Sequence, residues 1–460
     1  MTFFIPSEFS HSIALTSTII LGILLYWQVK CWKWRVMLSP GFYFAAFWIL
    51  GTIGSSIFIE AGFLSDEYPK ELNELNLLVG FTGLCFLYVT SKGKNKVMNS
   101  KTLFNCLPTN KVFTIVSTIV LTLSLINFIS HGASFNMGAA REAVHENVAN
   151  QAFWVGYAQV LALALSIAAG MFLCQIYLKE RKANIKFKII LFFPLIAQLF
   201  FSIYLGGRVN FIYCATQYTI GFFLYLPFRI PTKLSKKLIF YILILGTMLS
   251  FFISIVSSQR EEHYTGENNK FTTIVGNNTL LSILYGPMEY MTASYLGYEW
   301  RRNDAVDFND LTYGTRTLNG FINWSIPFSA KFGLEKFTIA DLFDIRYNNQ
   351  ETYDFEREYY YTTNSCYIPI VKDFGLGIGC LLFIYFLVWI AHKLFVAIQT
   401  KKEIRYMCSF FFFYLFLEYW IKSNFYGTLS NTVMMNLYGF LIFDLINKFT
   451  SKKIKKNRFQ

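Results

Sequence analysis

The chain has 460 residues, of which 54% are hydrophobic, 19% aromatic and only 15% charged, and its mean hydropathy is +0.39. Soluble domains run at roughly 45–50% apolar and about 25% charged, so a string of water-soluble domains is excluded: too few charges would have to cover too much apolar surface. The net charge of +13, from 41 Lys and Arg against 28 Asp and Glu, points to nucleic acid only if the charge is gathered on one binding face.

A membrane helix needs about 20 mostly apolar residues. Eleven stretches meet that need, at 11–28, 41–62, 74–91, 111–130, 153–178, 188–205, 209–227, 238–257, 374–396, 404–421 and 427–447. The third is the weakest, because NELNLLVGFTGLCFLYVT opens on polar residues. The sixth and seventh are separated only by Gly206, Gly207 and Arg208. The sequence therefore predicts an all-α polytopic transmembrane bundle of about 11 spans. Spans 1–8 occupy 1–257, a large extracytoplasmic loop follows at 258–373, spans 9–11 occupy 374–448, and a basic tail covers 449–460.

The loops set the orientation, since Lys and Arg collect on the cytoplasmic side. Loops 28–40, 91–111, 179–188, 228–237, 393–405 and 448–460 hold 27 basic and 2 acidic residues. The alternate loops hold 14 basic and 23 acidic residues. The N-terminus is expected outside and the C-terminus in the cytoplasm. The positive charge is thus spread over short anchoring clusters, which removes nucleic acid as a partner. The first span reads as an uncleaved reversed anchor, because its basic flank (Lys30, Lys33, Arg35) follows it. The basic tail suits anionic lipid headgroups.

The eight cysteines suggest no framework. Cys85, Cys174, Cys214, Cys380 and Cys408 fall in spans, Cys31 and Cys106 on the cytoplasmic side, and Cys366 outside. No CxxC, HExxH, Walker loop, dinucleotide fingerprint or GxSxG occurs, so no metal and no cofactor is expected.

The outside segment 258–373 is too long for a simple connection. Its apolar stretch 272–298 is broken by Pro287, Glu289 and two Asn, and reads as re-entrant or interfacial. The remainder is rich in Tyr, Trp, Asn, Asp and Arg. Such a surface is either a carbohydrate-binding face or an interfacial aromatic belt with a polar rim, and composition does not separate the two.

The outside arginines run against the topological bias. Arg208 stands in a Gly-Gly-Arg connection at the outer surface, either as a ligand for anions or as a snorkelling side chain. Arg260 follows the eighth span in SSQREEHY, and Arg141 lies in MGAAREAVHENVAN. Arginine is the usual bidentate partner of phosphate, although each of these two also has a neighbouring Glu for a surface ion pair. His263 lies three residues after Arg260, on the same face of any helix continuing past the membrane. It reads as a general base or as a solvated loop histidine.

These features together resemble the bacterial oligosaccharide repeat unit polymerases of the O-antigen (Wzy) type. LGGRVNFIY (205–213) resembles that family's glycine-rich connection with Arg between two spans. MGAAREAVHENVAN resembles its Arg-bearing outside loop. SSQREEHY resembles its Arg at the entry to the large loop. YTTNSCYIPIVKDFGLGIG (361–379) is similar to its Thr/Asn run followed by Asp-Phe-Gly and a second Gly opening a helix.

The resemblance implies polymerisation of repeat units on undecaprenyl diphosphate at the periplasmic face. Arg208 and Arg260 would clamp diphosphate, and His263, or else Glu261 or Glu262, would activate the acceptor hydroxyl. Arg141, Arg301, Arg302, Arg316 and Asn364 would bind substrate, and Asp373 would orient the loop or cap the ninth span. The implied partners are the lipid-linked oligosaccharide, membrane lipids and a chain-length regulator protein. The alternatives are a ligase moving finished glycan to lipid A core, a transporter of lipid-linked glycans, and a non-catalytic assembly protein. The absence of a visible repeat counts against the transporter.

Overall fold

The computed structural model describes residues 10–60, 70–98, 109–130, 153–204, 209–227, 236–240, 246–247, 298 and 367–400. Among these residues every regular element is helical and no strand occurs. The elements are α1 (Ser10–Trp32), a 3-10 helix (Lys33–Leu38), α2 (Pro40–Glu60), α3 (Lys70–Met98), α4 (Asn110–Ser130), α5 (Phe153–Tyr177), α6 (Ile185–Ile190), α7 (Phe193–Tyr204), α8 (Val209–Tyr225), α9 (Tyr367–Phe374) and α10 (Ile378–Thr400). Among the described residues six stretches are long and apolar enough to cross a membrane: Ser12–Leu38, Leu72–Lys92, Asn110–Ser130, Trp154–Tyr177, Ile185–Tyr204 and Ile378–Ala397. The expected spans at 404–421 and 427–447 lie outside the described residues, as does most of that at 238–257.

The helices form two compact units, one containing α1–α3 with α9 and α10, the other α4–α8. Both are arranged opposite to a water-soluble bundle. On α1, Leu15, Ile19, Ile23 and Tyr26 are exposed by 53% or more, while Ser17 and Gln28 are buried. Isoleucines 115, 119, 126 and 129 of α4 are likewise exposed, while Ser117, Ser124 and Asn127 are buried. A contiguous apolar stripe facing outward with polar residues inside suits hydrocarbon, where an unpaired polar group is the costly one.

In the first unit α1 and α3 run parallel. Ser17 Oγ donates to Asn76 O at 2.6 Å, and further along both helices Gln28 Nε2 donates to Thr90 Oγ1 at 2.7 Å. Asn76, Gly80 and Gly83 recur at helical spacing along the face of α3 that meets α1, so the polar start of the third stretch belongs to the interior. Ser39, which follows the 3-10 helix, donates its hydroxyl to Gln28 Oε1 at 2.6 Å. Both ends of the Gln28 amide are therefore used. The region expected as an inner loop at 28–40 is structured, and Arg35 within it is buried. Cys31 is buried in the last turn of α1.

Helix α10 also runs parallel to α3. Leu77 and Phe81 lie beside Gly377 and Leu381, and the Tyr88 and Tyr385 rings lie 6.4 Å apart further along. The apolar core joins Leu21, Trp48, Leu75, Phe86, Tyr367 and Ile384. Tyr298, at the end of the interrupted stretch 272–298, is fully buried in that core.

In the second unit α5 and α8 meet backbone to backbone. A Cβ on Gly170 would collide with Tyr218 O, and one on Gly221 with Ile167 O. Ala162, Ser166, Ala169 and Cys214 are buried beside the crossing, and Ser166 Oγ lies 2.9 Å from Cys214 Sγ. Small residues of this kind let membrane helices approach closely. Tyr177 meets Phe222 at 5.6 Å, so this pair is parallel. Helices α4 and α6–α7 are parallel too, with Phe113 against Phe187 and Phe128 against Phe200. Helices α7 and α8 are antiparallel, since Leu191 meets Tyr218 while Pro194 meets Cys214. Within each unit these directions are those of a chain that reverses from one apolar segment to the next.

Two substitutions test these contacts. Gly170→Leu should destabilise the second unit by about 1–3 kcal/mol or more, whereas Gly22→Leu, at a position where an added Cβ meets nothing within 4 Å, should be neutral. Gln28→Leu strands the Ser39 and Thr90 hydroxyls and should cost about 2 kcal/mol. Reversible unfolding in mixed micelles measures all three.

Candidate functional site

The connection that carries Arg208 is held by α7 and α8. Helix α7 ends at Tyr204 and α8 begins at Val209, while residues 205–208 lie outside the described set. The mount for this connection is well anchored. Phe128 of α4 packs on Phe200 at 5.2 Å and clusters with Ile203 and Tyr204. Gln198, fully buried, donates its Nε2 to Gln159 O of α5 at 2.7 Å.

The sixth apolar stretch was expected as one helix over 188–205, but it is broken. Helix α6 stops at Ile190 and α7 starts at Phe193. The cause is Pro194, which has no N–H to give to the carbonyl four residues back and fits only the first turn of a new helix. Helix α8 compensates. The Tyr218 hydroxyl donates to Leu191 O, and Cys214 Sγ lies 3.7 Å from Pro194 O. A break at membrane depth is tolerated when buried side chains satisfy the freed carbonyls in this way. The result is a 12-residue helix, α7, gripped by α4, α5 and α8.

Polar side chains gather along this short helix. Asn127, Gln198 and Ser202 are each at most 1% exposed. The expectation from sequence placed the chemistry on arginines and overlooked this seam. Its signal was present, since Gln198 and Ser202 interrupt an apolar run at a spacing of one helical turn.

The opposite end of the unit is tied by Arg181. Its guanidinium donates to Gln175 Oε1 at 2.8 Å and to Asn110 Oδ1, and lies 4.3 Å from the centre of the Phe172 ring. Partial burial lowers its pKa below the ordinary arginine value. Next to it, Glu180 accepts from the Tyr225 hydroxyl at 2.9 Å. The two residues bind α4, α5 and α8 at one end, which makes them structural ties rather than a site.

Of the candidate residues, Asp373 is the one described. It sits in the last turn of α9 and is fully buried. The ninth span was expected from 374, but the long helix α10 begins at Ile378. Asp373 is therefore in the preceding short helix, separated from α10 by a break. Gly375 makes that break: its φ is 69°, and its N–H donates to Val371 O at 2.8 Å, closing α9 in the left-handed conformation that suits glycine. Tyr367 anchors α9, with its hydroxyl 2.7 Å from Thr82 Oγ1 and its ring 5.5 Å from Trp48. The motif-like stretch around Asp-Phe-Gly is thus a helix, a left-handed glycine and a second helix. Arg208, Arg260, His263, Arg141, Arg301, Arg302, Arg316 and Asn364 lie outside the described residues, as do Glu261 and Glu262. Among the described residues no three His, Cys, Asp or Glu side chains group as metal ligands.

Compared with known proteins, the chain matches no family model, no curated protein and no solved structure. Its class rests on its own architecture: in the described residues, an all-α arrangement with six membrane-length apolar stretches and an apolar exterior. That is the architecture of a helical membrane protein.

Gly375→Ala should destabilise the α9–α10 junction by about 1–2 kcal/mol, because a Cβ is strained at this φ. Gly375→Asn should cost less, since Asn tolerates the left-handed region. Thermal unfolding of the two purified variants checks the order.

Proposed function

We propose that the protein is a polysaccharide polymerase that joins lipid-linked oligosaccharide repeat units at the outer face of a bacterial inner membrane. The observation that supports this most is the α7–α8 hairpin. Two antiparallel apolar helices leave four residues, LGGR, between Tyr204 and Val209, on the side opposite the Lys- and Arg-rich loops. An Arg stands there alone among glycines and apolar residues, where charge is costly and normally serves a partner or ligand.

In this reading the donor is a growing glycan on undecaprenyl diphosphate. A hydroxyl of the acceptor unit attacks the anomeric carbon, the glycosidic bond to diphosphate breaks, and undecaprenyl diphosphate leaves. Negative charge develops on the leaving diphosphate, and Arg208 with Arg260 would stabilise it. His263 would take the acceptor's proton. The rigid α7, locked by α4, α5 and α8, would hold Arg208 in place, as a clamp acting by position must be held.

The helix directions fit the topology that this reading needs. Parallel α3 and α10 require an odd number of crossings between them. Helix α4, α5, the α6–α7 pair and α8 supply four, and the expected eighth span at 238–257 would be the fifth. A further crossing at 272–298 would reverse α10, so the reading keeps that stretch re-entrant or interfacial.

Arg208→Ala should abolish the long-chain glycan ladder in cells while the protein stays at normal level in the membrane; an unchanged ladder would refute the role. Gene deletion should leave lipid A core capped by a single repeat unit, whereas bare core with accumulated lipid-linked glycan would favour the ligase. For the topology, an impermeant thiol reagent applied to intact spheroplasts should label Cys366 and spare Cys106.

A further inference from the structure

Three parallel helices of the first unit, α1, α3 and α10, carry one pattern toward the same end: an aromatic residue, then a lysine four places later. In each, the ammonium is turned back over that ring. Lys30 Nζ lies 5.7 Å from the centre of the Tyr26 ring, Lys92 Nζ 4.2 Å from that of Tyr88, and Lys393 Nζ 5.4 Å from that of Trp389. Helical side chains lean toward the helix N-terminus, so each ammonium is carried back toward the preceding turn, about 5 Å along the axis. Lys92 closes the apolar stretch Leu72–Lys92, and Lys393 lies within Ile378–Ala397. Both ammonium groups therefore stand where lipid headgroups meet hydrocarbon.

Two of these lysines share one groove. Tyr88 of α3 and Tyr385 of α10 lie side by side, their ring centres 6.4 Å apart. One turn on, Lys92 is therefore level with Trp389, and the Lys393 ammonium, drawn back over Trp389, returns to that level. Lys92 is held from one side, since its Nζ donates to the Tyr88 hydroxyl. One turn in the opposite direction stand Leu84 and Leu382, 50% and 62% exposed. From the membrane interior outward, the groove thus presents two leucines, then two tyrosine rings, then Trp389 with two ammonium groups. A phospholipid has the same order: hydrocarbon, ester-linked glycerol, phosphate.

The charge on this face selects the headgroup. Lys92 and Lys393 are both exposed, and neither pairs with a carboxylate among the described residues. An ammonium that only anchors a helix end extends into water, whereas these two are turned back to the level of the rings. Two such charges attract a phosphate and repel the ammonium of a zwitterionic headgroup. The ring faces of Tyr88 and Trp389, which would otherwise suit a choline, are already covered by the lysines. A headgroup with net negative charge and no amine fits.

We propose that the α3–α10 groove is a binding site for one anionic phospholipid, its phosphate held by Lys92 and Lys393 and one of its chains laid along Leu84 and Leu382. The site is independent of the polymerase reading and stands if that reading fails.

The test uses the full-length protein, delipidated in detergent and titrated with phosphatidylglycerol or phosphatidylcholine of identical chains, with binding read by native mass spectrometry. Wild type should bind its first phosphatidylglycerol about tenfold more tightly than phosphatidylcholine. The double variant Lys92→Gln/Lys393→Gln should remove that difference, and each single variant should reduce it to about threefold. Lys186→Gln/Lys188→Gln, at two exposed lysines of α6, removes the same charge elsewhere and should leave the difference intact. Should the first double variant aggregate, its two single variants decide. Equal affinity of wild type for both lipids overturns the proposal, as does a preference that survives the loss of Lys92 and Lys393. An equal loss in the α6 variant also overturns it, and shows that overall charge rather than this groove attracts the lipid.

Discussion

The constraint on which both units depend is that apolar surroundings provide no hydrophobic force to press helices together. Contact must come from close packing and from polar pairs. At Gly170 and Gly221 the α5 and α8 backbones touch, so a wide area of Ala, Ser and Cys surface is brought into van der Waals range. In the other unit the same task falls to hydrogen bonds. Ser17 reaches Asn76, and Ser39, Gln28 and Thr90 form a continuous chain at the far end. Gln28, which looks misplaced in an apolar stretch, is in this way one end of a helix pair.

That constraint also explains how the chain tolerates its irregularities. Pro194 breaks the sixth stretch, and the exposed carbonyl of Leu191 is met by Tyr218. Gly375 breaks the ninth, and its own N–H closes α9 onto Val371. At the first break a side chain takes up one freed carbonyl, and at the second a backbone N–H closes the helix. Each produces a short, firmly held helix next to a part of the chain where the sequence concentrates motif-like residues: α7 before Arg208, and α9 carrying Asp373. Short locked helices hold loops in place better than long ones that slide and tilt.

Much of the fold was legible in the sequence. The bounds expected for the second, fourth and fifth spans agree with α2, α4 and α5 to within a residue or two, because 20 apolar residues in series have few alternatives. The first and third helices run longer than their expected stretches: α1 continues through the buried Cys31 and Trp32, and α3 begins at Lys70, ahead of the buried Leu72 and Asn73. Hydropathy cannot show which polar residues are matched, since it scores Gln28 as a cost regardless of the Ser39 and Thr90 hydroxyls that meet its amide. The site was less legible. The arginines stood out by charge alone, whereas the buried seam of Asn127, Gln198 and Ser202 is made of neutral residues that leave little trace in a charge count.

The sequence by itself determined that this is an apolar helical chain and in which segments its basic residues gather. These are properties of local composition and need no knowledge of neighbours. Only the tertiary structure decided which helices run parallel, which face of each is interior, and where a stretch that reads as one helix is broken and repaired. Those depend on partners far apart in the chain: Thr82 with Tyr367, Gln28 with Thr90, and Leu191 with Tyr218. A hydrogen bond or a close backbone contact is a property of two positions at once, and no single stretch of sequence contains it.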